Sequence, residues 1–581
     1  MVRTLLIFLA ALASCFLYWS LYAYTSIGID DAQIYFVYFR NFAEGHGFVY
    51  NTGGERVEGF TSLLWTLLGA GAYAISPLNF PYFLLLLNGL LVGGTLLLID
   101  RGMRLLGGQA WTTLAIICFL GYSVLTPGYL DWMLISLMET GLWAFLLTAA
   151  VVSLLYLQTD QRYVYALSAL LALLVLTRPE SMLWGIYFIV MVVLTYSLQI
   201  RKLQFRPVSL MAGAFVAALV GLVVFRLSYF GYPLPNTYYA KMSGDLFYNL
   251  FQGGRYLFLS MVQLPMFWFF LIISLVSLVL LVPKLGWHRP APEPLSKACA
   301  FQLVLAGTTF LSFMIPLYTG GDHFGMGRML QPLVPVYFMM IFNIPFWKEA
   351  TGIHFKKART LAMGGMVLVV FPLFYFSAEV PLHRVPEQKT PISDEILVAR
   401  IGRADAEKLN RLFAPLATMP AVGVSAAGGF AWAYKGYTFD MLGLNSTAMA
   451  HSDSEREGVR KNHASFDVNT LLEIKPPVFH GYSHGSAVVA RFHQQEEEAF
   501  HPLSQQGFKD LFVNEIFKGV FFDPQFQQTY IPAVIRHPQV PGLIYQAYFL
   551  KSYLPELEQA GYRVRLLSMA DVRKGFEPVL E

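Results

Sequence analysis

The sequence predicts a polytopic α-helical membrane protein that ends in a polar α/β domain. Of the 581 residues, 56% are hydrophobic and only 13% are charged, whereas soluble domains carry about 25% charged residues. A chain with so little charge cannot cover itself with a polar surface, so most of it needs lipid as its solvent. The hydrophobicity is also uneven, because apolar runs fill residues 1–378 whereas residues 379–581 have the composition of a soluble domain.

Apolar runs divide the first part of the chain into candidate transmembrane helices. A helix of about 20 apolar residues crosses the hydrocarbon core of a bilayer. The candidate runs cover residues 4–26, 60–77, 81–100, 110–127, 139–156, 164–180, 181–199, 208–229, 257–282, 296–317, 330–347 and 360–377. Not every run can span the membrane, and the distribution of positive charge indicates which one does not.

Positive charge sets the orientation, because Lys and Arg accumulate in short cytoplasmic loops. If the run 60–77 lies in the outer interface, every basic loop falls on the cytoplasmic side together with Arg3. The basic loops contain Arg101, Arg104, Arg162, Arg201, Lys202, Arg206, Lys284, Arg289, Lys297, Lys348, Lys356, Lys357 and Arg359. This arrangement predicts about eleven spans, a cytoplasmic N-terminus and an extracytoplasmic C-terminal domain.

Unusual polar residues are concentrated on the segments that this topology places outside. These segments are the first loop 27–80, the loops 128–138, 178–181, 230–256 and 318–329, and the C-terminal domain. We therefore expect the chemistry of the protein on its outer face.

The first outer loop carries two adjacent carboxylates, Asp30 and Asp31, directly after the first span. A single Asp would suffice to cap the helix that follows. Two neighbouring carboxylates raise one another's pKa and are costly near lipid unless a cation or a reaction uses them. The pair therefore favours a functional role, whereas spacing alone does not decide whether Glu55, Arg56 and Glu58 line a site or are solvated.

The motifs of this loop resemble a known enzyme family. They are D-D-A at 30–32, R-N at 40–41, G-x-G-x-V-Y-N at 45–51, G-E-R-V-E-G-F-T-S at 54–62 and L-W at 64–65. In this order they resemble the bacterial relatives of mycobacterial terminal β-(1→2)-arabinofuranosyltransferase, which are membrane glycosyltransferases of the GT-C type. The resemblance implies a GT-C transmembrane catalytic domain over residues 1–378 and a soluble domain over residues 379–581.

Later outer segments carry further motifs of the same family. They are S-L-M-E-T at 136–140, where Leu-Met replaces Gly-Leu, L-T-R-P-E at 176–180, L-P-N-T-Y-Y-A-K at 234–241, G-G-D-H with an arginine at 320–328, G-G-F-A-W-A-Y at 428–434 and D-M-L-G-L-N at 440–445. The resemblance ends at about residue 450. It implies a sugar donor carried on a polyprenyl phosphate, with arabinofuranose as the sugar. It also implies a cell-envelope glycan as acceptor at a bacterial plasma membrane.

The resemblance and acid–base chemistry together suggest roles for the matched residues. An acceptor hydroxyl must lose a proton as it attacks, which assigns Asp30 as base with Asp31 in support. Cations stabilise the departing phosphate, and the candidates are Arg178, Lys241, Arg328 and His323. The candidates for contacts with the sugar or the acceptor are Glu58, Glu139, Glu180, Asn236, Tyr239 and Asp322. The sequence leaves open whether a divalent cation binds the carboxylate pair, because it offers no decisive set of metal ligands.

Structural roles remain as alternatives for several of these residues. Glu139 could be a surface charge at a helix end, and Arg178 and Glu180 could form a salt bridge that closes a turn. Lys241 and Arg328 could be anchors at the headgroup level. The C-terminal domain is expected to mix strands and helices, with a buried strand over 420–425, and to bind or orient the acceptor.

Three other functions compete with glycan synthesis. A related enzyme could glycosylate a protein such as pilin, and the sequence does not separate the two acceptors. A multi-span transporter should show internal repeats and helices broken near the midplane, and this sequence shows no repeat. A non-catalytic surface protein would have no use for a carboxylate pair next to lipid, and the small net charge of +4 gives no indication of nucleic-acid binding.

Overall fold

A computed structural model describes residues 2–22, 26–200, 204–285, 294–352, 392–457, 462–480, 488–490 and 516–568. The predicted span 360–377, the predicted domain boundary at residue 378 and the basic residues Arg201, Lys202, Arg289, Lys356, Lys357 and Arg359 lie outside these residues. Below, residues 2–352 are called the membrane part and residues 392–568 the C-terminal domain.

The membrane part is helical throughout. Its α-helices are α1 Val2–Tyr22, α2 Asp30–Ala43, α3 Leu63–Ile75, α4 Phe80–Leu106, α5 Gln109–Leu125, α6 Thr140–Leu157, α7 Tyr163–Val175, α8 Ser181–Ile200, α9 Phe205–Tyr229, α10 Asn236–Lys241, α11 Leu246–Gln263, α12 Met266–Leu281, α13 Lys297–Thr319, α14 Val334–Ile341 and α15 Ile344–Thr351. Within the described residues, seven of these are long and apolar enough to cross a membrane, namely α1, α4, α6, α8, α9, α12 and α13. The chain is thus a polytopic membrane protein.

Some predicted spans take a different form in the structure. The run 257–282 is divided between α11 and α12, because Pro265 follows the end of α11 and cannot continue its hydrogen bonding. The run 330–347 is likewise divided between α14 and α15, each of which has a proline in its first turn. Shorter apolar helices cover Leu63–Ile75, Gln109–Leu125, Tyr163–Val175 and Gln331–Ile341.

Helix α3 corresponds to the run that the charge pattern assigned to the outer interface. It has 13 residues, which is shorter than the roughly 20 residues that a spanning helix needs. The side chain of Ser62 accepts a hydrogen bond from the amide of Trp65 and so caps its N-terminus. Its length therefore agrees with the prediction that this run does not span.

The end of the bundle that the charge pattern assigned to the cytoplasm holds an ionic cluster. Arg3 at the start of α1 and Arg104 at the end of α4 both pair with Asp100, at 2.8 and 2.6 Å. The chain enters the first loop from the other end of α1, so this cluster and the Asp30–Asp31 pair lie toward opposite ends of the same helix.

A mixed sheet forms the centre of the C-terminal domain. Its strands are β1 Val422–Val424, β2 Thr438–Asp440, β3 Val478–His480, β4 Val488–Ala490, β5 Tyr530–Arg536, β6 Leu543–Leu550 and β7 Arg563–Leu566. The order is β2-β1-β3-β6-β5-β7, with β4 also paired to β6. Strands β1, β2 and β3 are parallel, and β6 is antiparallel to β3, β4 and β5. The strand predicted over 420–425 is confirmed as β1.

Helices cover this sheet and connect it to the membrane part. They are Ser393–Leu412, Ala427–Ala433, Thr447–Ala450, Val468–Ile474, Pro524–Thr529 and Leu554–Gln559. Trp432, from the second of them, packs edge-on against Phe36 of α2 at a ring distance of 5.9 Å. Arg40 of α2 donates a hydrogen bond to the carbonyl of Trp432 at 3.0 Å and lies over its ring. The C-terminal domain therefore packs against α2 in the loop 27–80.

Candidate active site

A large cavity lies where the C-terminal domain meets the membrane part, and its volume is about 900 Å³. The first loop, the end of α10, one side of α11 and the loop after α13 form the membrane side of this cavity. The opposite side comes from the start of helix Ser393–Leu412 and from the segments that follow β1 and β2. Its polar lining residues are Asp30, Asp31, Lys241, Gln252, Arg255, Ser260, Gln263, Asp322, His323, Asp394, Glu395, Ser425, Asp440, Asn462 and His463.

Asp30 is buried at the start of α2, where it joins the two parts of the protein. Its carboxylate oxygens accept hydrogen bonds from the amides of Gly428 and Gly429, at 3.0 and 2.7 Å. These amides lie in the first turn of helix Ala427–Ala433 and have no partner within that helix. Burial raises the pKa of Asp30 to about 7, against the lowering effect of the two amides, and the nearby Asp31 and Glu395 raise it further.

Asp31 lies next to Asp30 but is open to the cavity. Its side chain is 25% exposed, and its Oδ2 is 4.0 Å from the Nζ of Lys241. Lys241 is the last residue of α10, which starts at the P-N-T-Y-Y motif. The structure thus brings together two predicted residues that are more than two hundred positions apart, with opposite charges facing one cavity.

Asp322 and His323 reach the cavity from the loop after α13. The Oδ1 of Asp322 is 3.2 Å from the Nδ1 of His323, and its Oδ2 accepts a hydrogen bond from Arg328 at 3.1 Å. Burial alone would raise the pKa of Asp322, but Arg328 and His323 hold it below its usual range. The ring of His323 also lies 4.6 Å from that of His463 in the C-terminal domain.

Arg178 and Arg328 are both engaged by carboxylates, and their contact with the donor phosphate stays a prediction. Arg178 pairs with Glu139 at 2.5 Å and with Glu180 at 2.8 Å. Burial lowers the pKa of Arg178, but the two carboxylates raise it above its ordinary value overall. Arg178, Glu180 and Arg328 line a separate cavity of about 20 Å³. The salt bridge between Arg178 and Glu180 that the sequence left as an alternative is therefore present, and Glu139 also takes part in it.

Glu58, Asn236 and Tyr239, which were predicted to contact the sugar or the acceptor, lie outside the lining of the large cavity and contact other parts of the protein. Glu58 is buried in a pair with Arg226 of α9, with its Oε2 2.8 Å from the guanidinium Nε. Asn236 donates hydrogen bonds to the carbonyls of Gly443 and Leu444 at 2.7 and 3.1 Å. These contacts fix the first loop to α9 and the C-terminal domain to α10.

Tyr239 has a comparable role on the outer surface. Its ring lies 4.2 Å from that of His451, whose other neighbour is Tyr232, also at 4.2 Å. Burial raises the pKa of the Tyr239 hydroxyl. Tyr239 thus contacts the C-terminal domain beside the cavity and is not part of the cavity lining.

Several cavity residues carry no signal that sequence reasoning could separate from background. Arg255 lies on α11, two residues before the run that is predicted to span from residue 257 onward. Asp394 and Glu395 occupy the first turn of their helix, where acidic residues are common for electrostatic reasons alone. Ser425 was noted only as the end of a strand. Asp440 and Asn445 did belong to a matched motif, and the Asp440 carboxylate accepts hydrogen bonds from the amides of Leu442 and Asn445, each at 2.9 Å.

The divalent cation that the sequence leaves open has no ready-made site in the part of the chain that the structure describes. Among these residues, no group of three or more His, Cys, Asp or Glu side chains is placed to hold a metal ion.

The fold and the site define a multi-spanning membrane protein with a polar cavity between its helical bundle and a C-terminal α/β domain. No protein-family model and no curated protein matches the sequence. The crystal structure of the Archaeoglobus fulgidus oligosaccharyltransferase in its apo form is similar, with a TM-score of 0.50 at 10% sequence identity. The similarity covers 95% of this chain and 74% of that chain.

Two further structures of that kind match at TM-scores of 0.49 and 10% identity. One is the Archaeoglobus fulgidus enzyme with Zn and sulfate, with 93% of this chain and 72% of that chain covered. The other is the archaeal oligosaccharyltransferase AglB from Archaeoglobus fulgidus with an inhibitory peptide and a dolichol-phosphate, with 94% and 74% covered. The similarity to the apo structure shows the fold alone, and that fold is the predicted GT-C fold.

Proposed function

We propose that this chain is a GT-C membrane glycosyltransferase that moves a sugar from a polyprenyl phosphate to a hydroxyl of a cell-envelope glycan. The sugar proposed is arabinofuranose, because the loop motifs resemble the bacterial relatives of the mycobacterial arabinofuranosyltransferase. The observation that carries the proposal is the meeting of Asp31 and Lys241, 4.0 Å apart, on one large cavity. A carboxylate and a cation on the same cavity supply the proton acceptor and the phosphate contact that this transfer needs.

The proposed reaction is a substitution at the anomeric carbon of the donor. The acceptor oxygen forms a bond to this carbon while the bond from the carbon to the phosphate oxygen breaks, and the phosphate takes the bonding electrons. The hydroxyl proton passes to a carboxylate of the cavity. The charge on the departing phosphate is greatest late in the reaction, so nearby cations stabilise the transition state more than the bound donor.

The geometry favours Asp31 as the proton acceptor and Asp30 as its positioning partner, the reverse of the division expected from the sequence. Both oxygens of Asp30 accept amide hydrogen bonds, whereas Asp31 is a quarter exposed to the cavity. For the phosphate we propose Lys241 and Arg255, with His323 nearby, because these side chains line the cavity. Arg178 and Arg328 then support the site through Glu139 and Asp322.

The proposal also includes an orientation, with the cavity on the extracytoplasmic face of a bacterial plasma membrane. The ionic cluster of Arg3, Arg104 and Asp100 lies toward the end of α1 that is opposite the cavity. Positive charge of this kind is typical of the cytoplasmic side. A lipid donor held in the outer leaflet would present its phosphate at the headgroup level, where Lys241 and Arg255 are expected.

A transfer assay tests the function. Purified protein in nanodiscs is given a radiolabelled polyprenyl-phosphate arabinofuranose and an arabinan oligosaccharide, and label in the glycan is measured. Asp31→Asn should lower transfer by about 10²-fold or more, as expected when a general base is removed. Lys241→Ala should also lower it, whereas Asp453→Asn, which changes an exposed acid outside the cavity lining, should leave it unchanged.

Two results would overturn the proposal. The first is full activity in both Asp31→Asn and Lys241→Ala. The second is a folded wild-type protein that transfers no label to glycan from this donor. Label recovered in protein instead of glycan would establish the protein-acceptor alternative in place of the glycan acceptor.

A further inference from the structure

The two sides of the large cavity differ in where their cations lie. Lys241 and Arg255, the permanent cations of its lining, lie on the membrane side beside the carboxylates of Asp30, Asp31 and Asp322. The C-terminal domain contributes Asp394, Glu395 and Asp440 and no lysine or arginine among the described lining residues. A donor phosphate at Lys241 and Arg255 therefore leaves the acidic side for the other substrate.

The sheet topology independently marks the acidic side as a binding surface. Ligands of α/β sheets bind beyond the carboxyl ends of parallel strands. Ser425 directly follows β1 and Asp440 ends β2, these two strands are parallel, and both residues line the cavity. The cavity thus lies at the edge of the sheet where a ligand is expected.

Ser425 adds a feature that points to a ligand. Its residue is only 7% exposed, and its hydroxyl has no hydrogen-bond partner among the described residues. Buried polar groups in folded proteins are nearly always hydrogen-bonded. A polar group of a bound molecule would satisfy this hydroxyl.

Asp394 and Glu395 bring negative charge to the same side. They lie in the first turn of helix Ser393–Leu412, and Asp394 is exposed at the cavity. Asp440 accepts three hydrogen bonds from Leu442 and Asn445 of its own loop, so it contributes mainly negative charge and shape to the cavity. Carboxylates accept hydrogen bonds from sugar hydroxyls, and they repel a second anion at close range.

On the basis of the proposed function, we propose that the C-terminal domain selects the acceptor by charge. Asp394, Glu395 and Ser425 bind the end of an uncharged, hydroxyl-rich sugar chain and disfavour a chain end that carries a carboxylate. The membrane part recognises the donor phosphate, and the C-terminal domain recognises the acceptor.

Two acceptors, one uncharged and one negatively charged, test this selection. One is an octyl glycoside of a neutral arabinose disaccharide, and the other carries a uronic acid at the neighbouring sugar. Wild-type protein should use the neutral acceptor at least about tenfold better, a ratio that one like-charge contact at moderate distance produces. The double variant Asp394→Asn/Glu395→Gln should reduce this ratio about tenfold, mainly by faster transfer to the acidic acceptor.

Matched variants separate charge selection from a general effect on folding. Glu407→Gln neutralises an exposed acid on the same helix away from the cavity lining and should keep the wild-type ratio. Ser425→Ala should raise KM for the neutral acceptor several-fold and leave KM for the donor unchanged, because it removes one hydrogen bond to the acceptor only.

The assay distinguishes failure of the inference from failure of the proposed function. Equal use of both acceptors by wild-type protein, or an unchanged ratio in the double variant, overturns charge selection while donor turnover still supports the enzyme. If the protein neither transfers the sugar to an acceptor nor hydrolyses the donor, the proposed function fails, and the inference fails with it.

Discussion

At the scale of single residues, Asp30 connects the membrane part to the C-terminal domain. Its side chain starts α2 and at the same time satisfies two amides of helix Ala427–Ala433. The N-cap role considered for this pair therefore exists, but the capped helix belongs to the other domain. A carboxylate in this position holds Asp31 at the cavity and the C-terminal domain against the first loop.

Stability should depend on pH through Asp30. Its pKa is raised from 3.8 to about 7 by burial, so the folded protein holds a proton there that the unfolded chain releases. The stabilisation from this proton is complete below about pH 4 and is lost as the pH rises through 7. Between these values, wild-type protein should lose thermal stability relative to Asp30→Asn, whose amide does not titrate.

Thermal unfolding of both proteins in detergent, measured from pH 4 to 8, checks this prediction. Asp453→Asn serves as a control and should follow the wild-type curve. Parallel curves for wild type and Asp30→Asn across the whole range would contradict the assignment of the raised pKa.

The sequence singled out several polar residues that the fold brings to one cavity, and their roles stay predictions. Asp30, Asp31, Lys241, Asp322 and His323 all line this cavity. Glu58 does not, because its partner Arg226 lies 168 positions later in a transmembrane helix. A carboxylate in a buried ion pair and a carboxylate that binds substrate look the same in a sequence.

At the scale of elements, α11 shows why apolar composition alone gives the wrong boundaries. Phe247, Phe251 and Phe258 are 81%, 71% and 58% exposed on the outside of this helix. Gln252, Arg255 and Gln263 line the cavity on its other side. The helix is therefore amphipathic, and the predicted span merged its apolar end with α12 because Pro265 separates them by a single turn.

Two neighbouring glycines in α11 should respond differently to alanine. A Cβ at Gly253 would lie 2.4 Å from the carbonyl oxygen of Leu317, a backbone atom of α13, whereas at Gly254 the nearest atom is a Leu317 methyl at 3.9 Å. Gly253→Ala should displace α11 and cost about 1–3 kcal/mol. Gly254→Ala should stabilise the helix by about 0.5–1 kcal/mol.

Thermal unfolding in detergent and the transfer assay measure both variants. Gly253→Ala should also reduce transfer, since Arg255 moves with the helix. Equal stability of the two variants would show that α11 does not pack against α13 as described.

At the scale of the whole molecule, the two parts of the fold could be predicted from the sequence, but the contacts between them could not. Apolar runs and positive charge were enough for a multi-spanning bundle, and the polar composition after residue 378 was enough for a C-terminal domain. The docking surface could not be predicted, because it consists of scattered contacts such as those of Tyr50 with Ala427, Asn51 with Thr438 and Tyr38 with Asn445. No local pattern records which residues meet across such distances.

Docking should fail when Gly428 gains a side chain. A Cβ there would lie 1.8 Å from the carbonyl oxygen of Asp30 and 2.6 Å from its carbonyl carbon. Gly428→Ala should therefore separate helix Ala427–Ala433 from α2 and increase amide hydrogen exchange in both by at least about tenfold. Transfer should be lost as well, because the cavity needs both parts.

Hydrogen exchange monitored by mass spectrometry follows the two helices separately. Gly71→Ala is a suitable control, since a Cβ at Gly71 meets no atom within 4 Å. Wild-type exchange in Gly428→Ala would contradict the docking described.

The shared cavity also has a consequence for how such proteins diversify. The lining residues of the membrane part end at Gly325, and those of the C-terminal domain begin at Asp394. Under the proposed function, recombination between relatives at a point between these residues would join an unchanged donor-binding part to a new acceptor-binding part. Such a protein would use the same donor on a different acceptor.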